Sequence, residues 1–481
     1  MSEWSHLLAR VNYPMYCVRT LSERHILVAG GGGPAKTGIA NTLEVYELVY
    51  DKSTNSCKAR LITHYDTGSR AVMNMCVVDK SNYCYQLFCG GMDGMCTQYD
   101  LKLNVESKRR ESSSSPTRRE RTFSETSLRR RRLSSRSESI EKENDINLAN
   151  SQSPEAPEPV KQHSRKDSKP KMTDDTNGVP DFTFDIKQQK MFKTDFNSDE
   201  SFQKIVKFSV EANVLITAGS DGHIRLWSLP KLDQILSIKA HDNEVDDLDI
   251  NGNGTQIVSV SRDSKGFVWN TNDGSLKTEL KYELPVAQKQ QNHNQNNNNN
   301  RNGIINNKYI YRGCRYTTVD GDLNNIKLFT IMNPLVNQKP PKSSYICKWN
   351  TQTYKPEKMV STGFESLSTM AVSEEGHYVG LGTLTGSVDV YIAFSLQRVY
   401  HLSAAHNIFV TGVEFLKSSV AAQQLTGGND ASLVSVSVDN HIVVHQIPKR
   451  GSELQKHCGF RVHSQPCPHR SQNKESRNVY K

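Results

Sequence analysis

The sequence predicts an all-β chain in which seven four-stranded units close into a ring. Three observations carry that reading. Short runs alternate polar and apolar residues, as in TLEVYEL at 42–48, HIRLW at 223–227, SVDVYIAF at 387–394 and HIVVHQI at 441–447, with Gly, Asn and Asp between them. Long amphipathic helical patterns are absent. Setting aside three polar stretches leaves 339 residues, or roughly 48 for each of seven units, close to one four-stranded repeat.

The repeat has a register. In Gly219-Ser-Asp-Gly-His-Ile-Arg-Leu-Trp227 an aspartate precedes a tryptophan by six residues, and Asp263 stands likewise before Trp269. Asp93 precedes Tyr99 and Asp439 precedes His445 at the same spacing, and Gly386–Tyr391 fits with Thr385 in place of the aspartate. Ala240-His241 and Ala405-His406 lie upstream of two of these. The pattern resembles the WD repeat, in which a histidine, a turn aspartate and a strand tryptophan tie the strands of a blade together by hydrogen bonds. The expected fold is a seven-bladed WD-repeat β-propeller. Its units run at about 9–57, 58–103, 195–233, 236–275, 277–352, 354–397 and 400–448, the fifth marked by Ile346–Trp349. An open edge would invite mispairing, so a closing strand is needed, and Tyr13–Arg19 is the candidate.

The remaining segments are polar. Residues 104–192 are Ser-, Arg-, Glu- and Pro-rich and read as a disordered insertion between blades at 1–103 and 193–448. Residues 288–307 form an Asn/Gln-rich loop, and 449–481 a basic polar tail. The net charge of +9 is concentrated in these segments. Lys108–Arg136 carries +8 and the tail +6, which leaves the ring near −5. A basic excess confined to tails argues against a nucleic-acid-binding fold. Ten cysteines without a CxxC pair suit a reducing compartment. No signal peptide and no apolar run long enough to span a bilayer are visible.

The most unusual segment is Gly30-Gly-Gly-Gly-Pro-Ala-Lys-Thr-Gly-Ile-Ala-Asn41. It nearly matches a phosphate-binding loop. However, Ala35 replaces the glycine before Lys36-Thr37, and a strand pattern follows where a helix is required. Gly30, Gly31, Gly32 and Gly33 permit positive φ but carry a large ordering cost, which favours an organised loop. Its closely spaced carbonyls suit a monovalent cation.

At this loop the chain resembles the endoplasmic-reticulum guanine-nucleotide exchange factors that activate the Sar-type small GTPase of COPII assembly, the prolactin regulatory element-binding protein family. The resemblance rests on Ala29–Ile39, His64-Tyr-Asp-Thr67, Phe196-Asn-Ser-Asp199, Ala218–Trp227, Tyr311-Arg-Gly-Cys-Arg315 and Leu381–Tyr400. It implies that the loop projects from the propeller, is organised by a bound potassium ion within residues 30–41, and contacts the GTPase through Gly38, Ile39, Ala40 and Asn41. Ile39 would be the apolar anchor and Asn41 a polar one. Asp66, read as part of the next unit's first strand, would approach the same face. Such a protein performs no bond chemistry. It binds the nucleotide-free GTPase best and by reciprocity weakens the nucleotide.

The resemblance further implies initiation of COPII vesicle formation and ER-to-Golgi transport, COPII coat or ER exit-site proteins as partners, and a place on the cytosolic face of the endoplasmic reticulum. That family carries a membrane span after its propeller, whereas this sequence ends in GSELQKHCGFRVHSQPCPHRSQNKESRNVYK. The expectation is therefore an indirect membrane association with a cytosolic pool. His457, Cys458, His463, Cys467 and His469 in this tail are too irregularly spaced for zinc and read as solvated. Ser134 follows four arginines and Ser124 follows Arg119-Glu-Arg121, which marks both as phosphosites that would erode the local positive charge. The alternatives are a WD-repeat scaffold with an inert loop and a transcription-regulatory protein. The second has no zinc finger or recognition helix to support it.

Overall fold

The computed structural model describes residues 4–35, 38–51, 53–54, 56–106, 181–284, 309–335 and 341–449. The chain divides into a ring, Met1–Val105 with Phe182–Lys481, and a separate unit, Glu106–Asp181. The phosphosite candidates, the Asn/Gln-rich tract and the tail from 450 onward lie outside the described residues.

The ring is a seven-bladed β-propeller. Its first blade is β2 (Met15–Thr20), β3 (His25–Gly30), β4 (Thr42–Asp51) and β5 (Ser56–Asp66), paired in chain order from the channel outward. The second is β6 (Asn74–Asp79), β7 (Cys84–Gly90), β8 (Met95–Glu106) and β9 (Asp181–Lys193). The third and fourth are β10 (Gln203–Ser209), β11 (Val214–Gly219), β12 (His223–Ser228) and β13 (Gln234–Lys239), then β14 (Val245–Ile250), β15 (Gln256–Ser261), β16 (Gly266–Asn270) and β17 (Leu276–Glu279). The fifth and sixth are β18 (Tyr309–Val319), β19 (Asp322–Pro334), β20 (Ser344–Asn350) and β21 (Pro356–Gly363), then β22 (Leu367–Val372), β23 (Tyr378–Thr383), β24 (Val388–Ile392) and β25 (Arg398–Leu402). The seventh takes β26 (Val410–Phe415), β27 (Ala431–Ser437) and β28 (His441–Ile447) from the C-terminal side and β1 (Ser5–Arg10) from the N-terminal side.

Three expectations need correction. The closing strand is Ser5–Arg10, which pairs with β28, whereas Met15–Thr20 is the innermost strand of the first blade. Closure from the N-terminal side supplies the fourth strand of that blade and covers the edge of β28. The polar insertion is shorter than residues 104–192. Asp181–Lys193 is β9, the outer strand of the second blade, and it places buried Phe184 against Tyr85 with ring centroids 6.3 Å apart. Its sequence, DFTFDIKQQKMFK, is apolar at alternate positions for only half its length, which hid it. Finally, the repeat units are out of phase with the blades. Every unit except the third, which starts at β10, begins on the outer strand of the preceding sheet, so Ser56–Asp66 and Leu276–Glu279 close blades that the repeat assigns to the next unit.

The core lies between blades. Leu27, Leu43 and Val45 of the first pack with Leu87, Tyr99 and Phe184 of the second. Around the central channel, a space of about 1190 Å³, the innermost strands are joined by ion pairs. Lys204 Nζ lies 2.8 Å from Glu244 and 2.5 Å from Asp246, and Arg315 lies 2.5 Å from Asp247. These pairs bind β10, β14 and β18 across blade boundaries.

Every sheet is a meander running outward from the channel. The turn between its second and third strands and the link to the next blade therefore emerge on one face, and the other two turns emerge on the opposite face. The glycine-rich segment joins β3 to β4, a second-to-third-strand turn, which places it on the face shared with all inter-blade links. Among the described residues no helix is long and apolar enough to cross a membrane.

Candidate functional site at the glycine loop

The loop is anchored from both sides. At its entry Gly31 N–H donates to Pro14 O at 2.9 Å. Gly30 is packed so closely there that a Cβ would lie 2.0 Å from Pro14 O, which bars any larger residue. Gly31 has φ +142°, and a Cβ on it would meet Asn41 Oδ1 at 2.2 Å. Gly32 and Gly33 are half-buried, and Lys36 and Thr37 lie outside the described residues.

Asn41 closes the loop at its exit. Its Oδ1 accepts from Gly33 N–H at 2.8 Å, and its Nδ2 donates to Gly33 O at 3.0 Å and to Gly68 O at 2.8 Å. Its carbonyl accepts from Thr67 N–H at 2.9 Å. With 4% of its surface exposed, Asn41 is a clamp beneath the loop, and its side-chain groups are committed within the fold. Gly38, Ile39 and Ala40 are held out as the exposed tip, and Ile39 is 40% exposed. Asp66 is exposed at the end of β5, in the loop's own blade, not the next one. Its Oδ1 accepts from Gly68 N–H at 2.8 Å, which shapes the turn that Asn41 holds.

Under the loop lies a network absent from the motif reading. Both faces of β4 are buried from Thr42 to Leu48, so Glu44 has to be satisfied inside the protein. Tyr13 and Tyr46 donate to its Oε2 at 2.8 and 2.6 Å, and His64 Nδ1 approaches its Oε1 at 3.0 Å. Burial, and then the Glu44 carboxylate, lifts both tyrosines far above their ordinary range, so both remain protonated donors. The available signal was a carboxylate alternating with Tyr46 inside an apolar strand.

The sequence implied potassium. An ion of low charge density would be held by neutral oxygens, and among the described residues no group of three or more His, Cys, Asp or Glu could hold a metal. At the root of the loop the buried Thr42 Oγ1 has no well-formed hydrogen bond, with Tyr13 as its polar side-chain neighbour, which leaves one neutral oxygen of the kind such an ion takes. That single oxygen is compatible with such an ion.

Two comparisons bear on the site. The WD domain, G-beta repeat pattern matches residues 196–228 and 232–270, which span the regular third and fourth blades. A guanine nucleotide-exchange factor SEC12 from Mus musculus is 32% identical over 447 residues, 92% of this chain and 91% of its own length. The chain belongs to the SEC12 family of guanine nucleotide-exchange factors. The SEC12 of Rattus norvegicus is 31% identical over 448 residues. An Arabidopsis thaliana SEC12-like protein 1 is 24% identical over 201 residues, 42% of each chain. The SEC12 likeness covers nearly the whole chain, whereas the WD pattern matches neither the glycine loop nor the rest of its blade.

Proposed function

We propose that this chain promotes GDP release from a Sar-type small GTPase and thereby starts COPII coat assembly and ER-to-Golgi transport on the cytosolic face of the endoplasmic reticulum. The observation that carries the reading is an exposed apolar tip, Ile39, mounted on a loop clamped by a buried asparagine, in a member of an exchange-factor family. Preorganisation keeps the ordering cost of the interface low. No bond is made or broken by the chain. Tighter binding to the nucleotide-free GTPase weakens nucleotide binding by the same factor. Potassium belongs to this proposal. Thr42 Oγ1 and loop carbonyls would hold it, and the bound charge would fix the carbonyls. Gly38 and Ala40 flank the anchor, while Asn41 and Asp66 shape the loop and its neighbouring turn. COPII or ER exit-site proteins would be further partners.

Release of a fluorescent GDP analogue from a Sar-type GTPase tests this. We expect acceleration by the native chain and a loss in kcat/KM of roughly 10- to 100-fold for Ile39→Ala, the range expected for one buried aliphatic anchor. Absence of acceleration by the folded native chain in potassium buffer would reduce it to a WD scaffold.

A further inference from the structure

The glycine loop is too small to hold a protein partner alone. A stable interface engages about 20 residues on each side, and the described part of the loop exposes only Pro34, Ala35, Gly38, Ile39 and Ala40. The partner must reach neighbouring turns of the same face, and hydrogen bonds mark which turns move with the loop. Asn41 holds the 67–70 link through Gly68 O. In that link Arg70 Nε lies 3.0 Å from Asp93 Oδ2, and its Nη1 donates to Thr97 Oγ1 at 3.2 Å. Asp93 sits in the β7–β8 turn beside Met92, which is 65% exposed. Gly94 O of that turn accepts from Thr194 N–H and Asp195 N–H at 2.9 and 3.1 Å, so the β9–β10 link is joined to it.

That link ends the series on Phe196, which is 53% exposed yet held in place. Asp195 before it is fully buried, and its carboxylate accepts from Asn197 N–H, Ser220 Oγ and Asp221 N–H at 3.1, 3.0 and 3.0 Å. Phe196 N–H donates to Asp221 Oδ2 at 3.0 Å. Arg225 Cζ stands 4.7 Å and Lys193 Nζ 5.2 Å from the centre of its ring. Aromatic side chains, phenylalanine included, and arginine are enriched at protein interfaces. On the loop's other flank a like series runs from Pro14 through Asn440 and Asp439 to the 403–409 link. The turns at 11–14 and 438–440 offer no exposed large apolar side chain, and the link exposes Ile408 and Phe409, so what sets Phe196 apart is the pair of cations packed on its ring.

We propose that the exchange surface is an arc running from Ile39 past Met92 to Phe196, and that Phe196 is a second anchor for an apolar patch of the small GTPase. The inference rests on the exchange reading above. Two anchors a blade apart fix the orientation of the GTPase, which a single loop contact leaves free to pivot. Contact at Phe196 lies away from the loop, so it contributes to the nucleotide-bound and nucleotide-free complexes alike. Such uniform binding appears in KM and leaves kcat unchanged.

The test is GDP release measured over a range of GTPase concentrations, with the full chain and four variants, each checked for native thermal stability. Phe196→Ala is expected to raise KM about tenfold with kcat within twofold of native, and Met92→Ala to raise KM by a smaller factor. Phe394→Ala, an equally exposed phenylalanine under Lys348 on the opposite face, is expected to match native. So is Ile408→Ala, on the loop face in the link between the sixth and seventh blades, as many blades round the other flank as Phe196 is on this one. A Phe196→Ala protein indistinguishable from native, or an equal loss in Phe394→Ala or Ile408→Ala, would overturn the arc while leaving the exchange reading intact. No acceleration by the native chain would overturn both.

Discussion

The blade of β14–β17 and the blade of β2–β5 occupy equivalent places in one ring, yet they are held together differently. In the former, His241 Nδ1 meets Asp263 at 2.9 Å, its Nε2 meets Ser259 Oγ at 2.8 Å, and Trp269 Nε1 donates to the same hydroxyl at 2.9 Å. These are the motif residues, and the network ties β15, β16 and the short turn between them to the link that enters β14. In the latter, the third strand carries Glu44 instead, satisfied by two tyrosines and His64, and the turn is the long glycine loop. The difference teaches a division of labour. Where the repeat is kept, the blade is scaffold. Where it is abandoned, the fold is secured by other means and the freed turn is available for a partner.

The comparison is broken most severely by removing the tryptophan of the regular blade. Trp269→Ala deletes a buried indole and strands the Ser259 network, and should cost about 3–5 kcal/mol of ring stability. Denaturant unfolding measures the loss, and the protein that remains folded should exchange nucleotide at the native rate. A fall in exchange without a fall in stability would contradict the scaffold role.

A smaller effect sharpens it in the seventh blade, where His445 stands at the tryptophan position. Ser435 Oγ and Tyr400 Oη lie 2.7 and 3.0 Å from its ring nitrogens. Burial, and then the neighbouring His406, lowers its pKa from 6.5 to about 3, so the folded ring prefers the neutral form. Its stabilising contribution is complete above pH 6.5 and is lost as pH falls toward the folded value. Between neutrality and pH 5 linkage gives a loss of about 2 kcal/mol. His25, lowered to about 4 by burial, adds a loss of the same sign. His445→Gln should therefore lower stability at pH 7 but flatten the decline toward pH 5, as measured by unfolding at both values. An unchanged slope would show that His445 is not held neutral.

These two blades also show what the sequence could reveal. Asp263, Trp269, His241, Asp439 and His445 are visible because their chemistry requires fixed spacing, and the structure joins His241 to Asp263 and His406 to Asp439. The glycine loop is visible because its composition is extreme. Its clamp is not, because Asn41 meets Gly68 only after two strands have folded back, and Asn41 in isolation looks like a surface polar residue. Glu44 and Tyr13 are 31 residues apart, and no local pattern links them. Asp195 and Phe196 are hidden similarly. Their partners Asp221 and Arg225 follow a strand later, and Lys193 lies in the outer strand β9, whose weak alternation blends with the insertion.

The smallest effect on the ring belongs to Asn41, and it separates loop order from loop contact. Asn41→Ala removes three side-chain hydrogen bonds from a turn that fills no core, so ring stability should fall by only about 1 kcal/mol. Ile39 remains in the sequence, but its mount is undone. If preorganisation is what the buried amide contributes, exchange should drop roughly tenfold, because part of the binding energy is then used to order the loop. Asn41→Asp keeps the acceptor for Gly33 N–H and loses both donors, so it should behave almost as badly as the alanine. Amide hydrogen exchange across residues 31–41 reports the order directly, and fluorescent GDP release reports the function. Loss of protection in the loop with native exchange activity would mean that Ile39 works from a loose tether, and the clamp would then be a folding device alone.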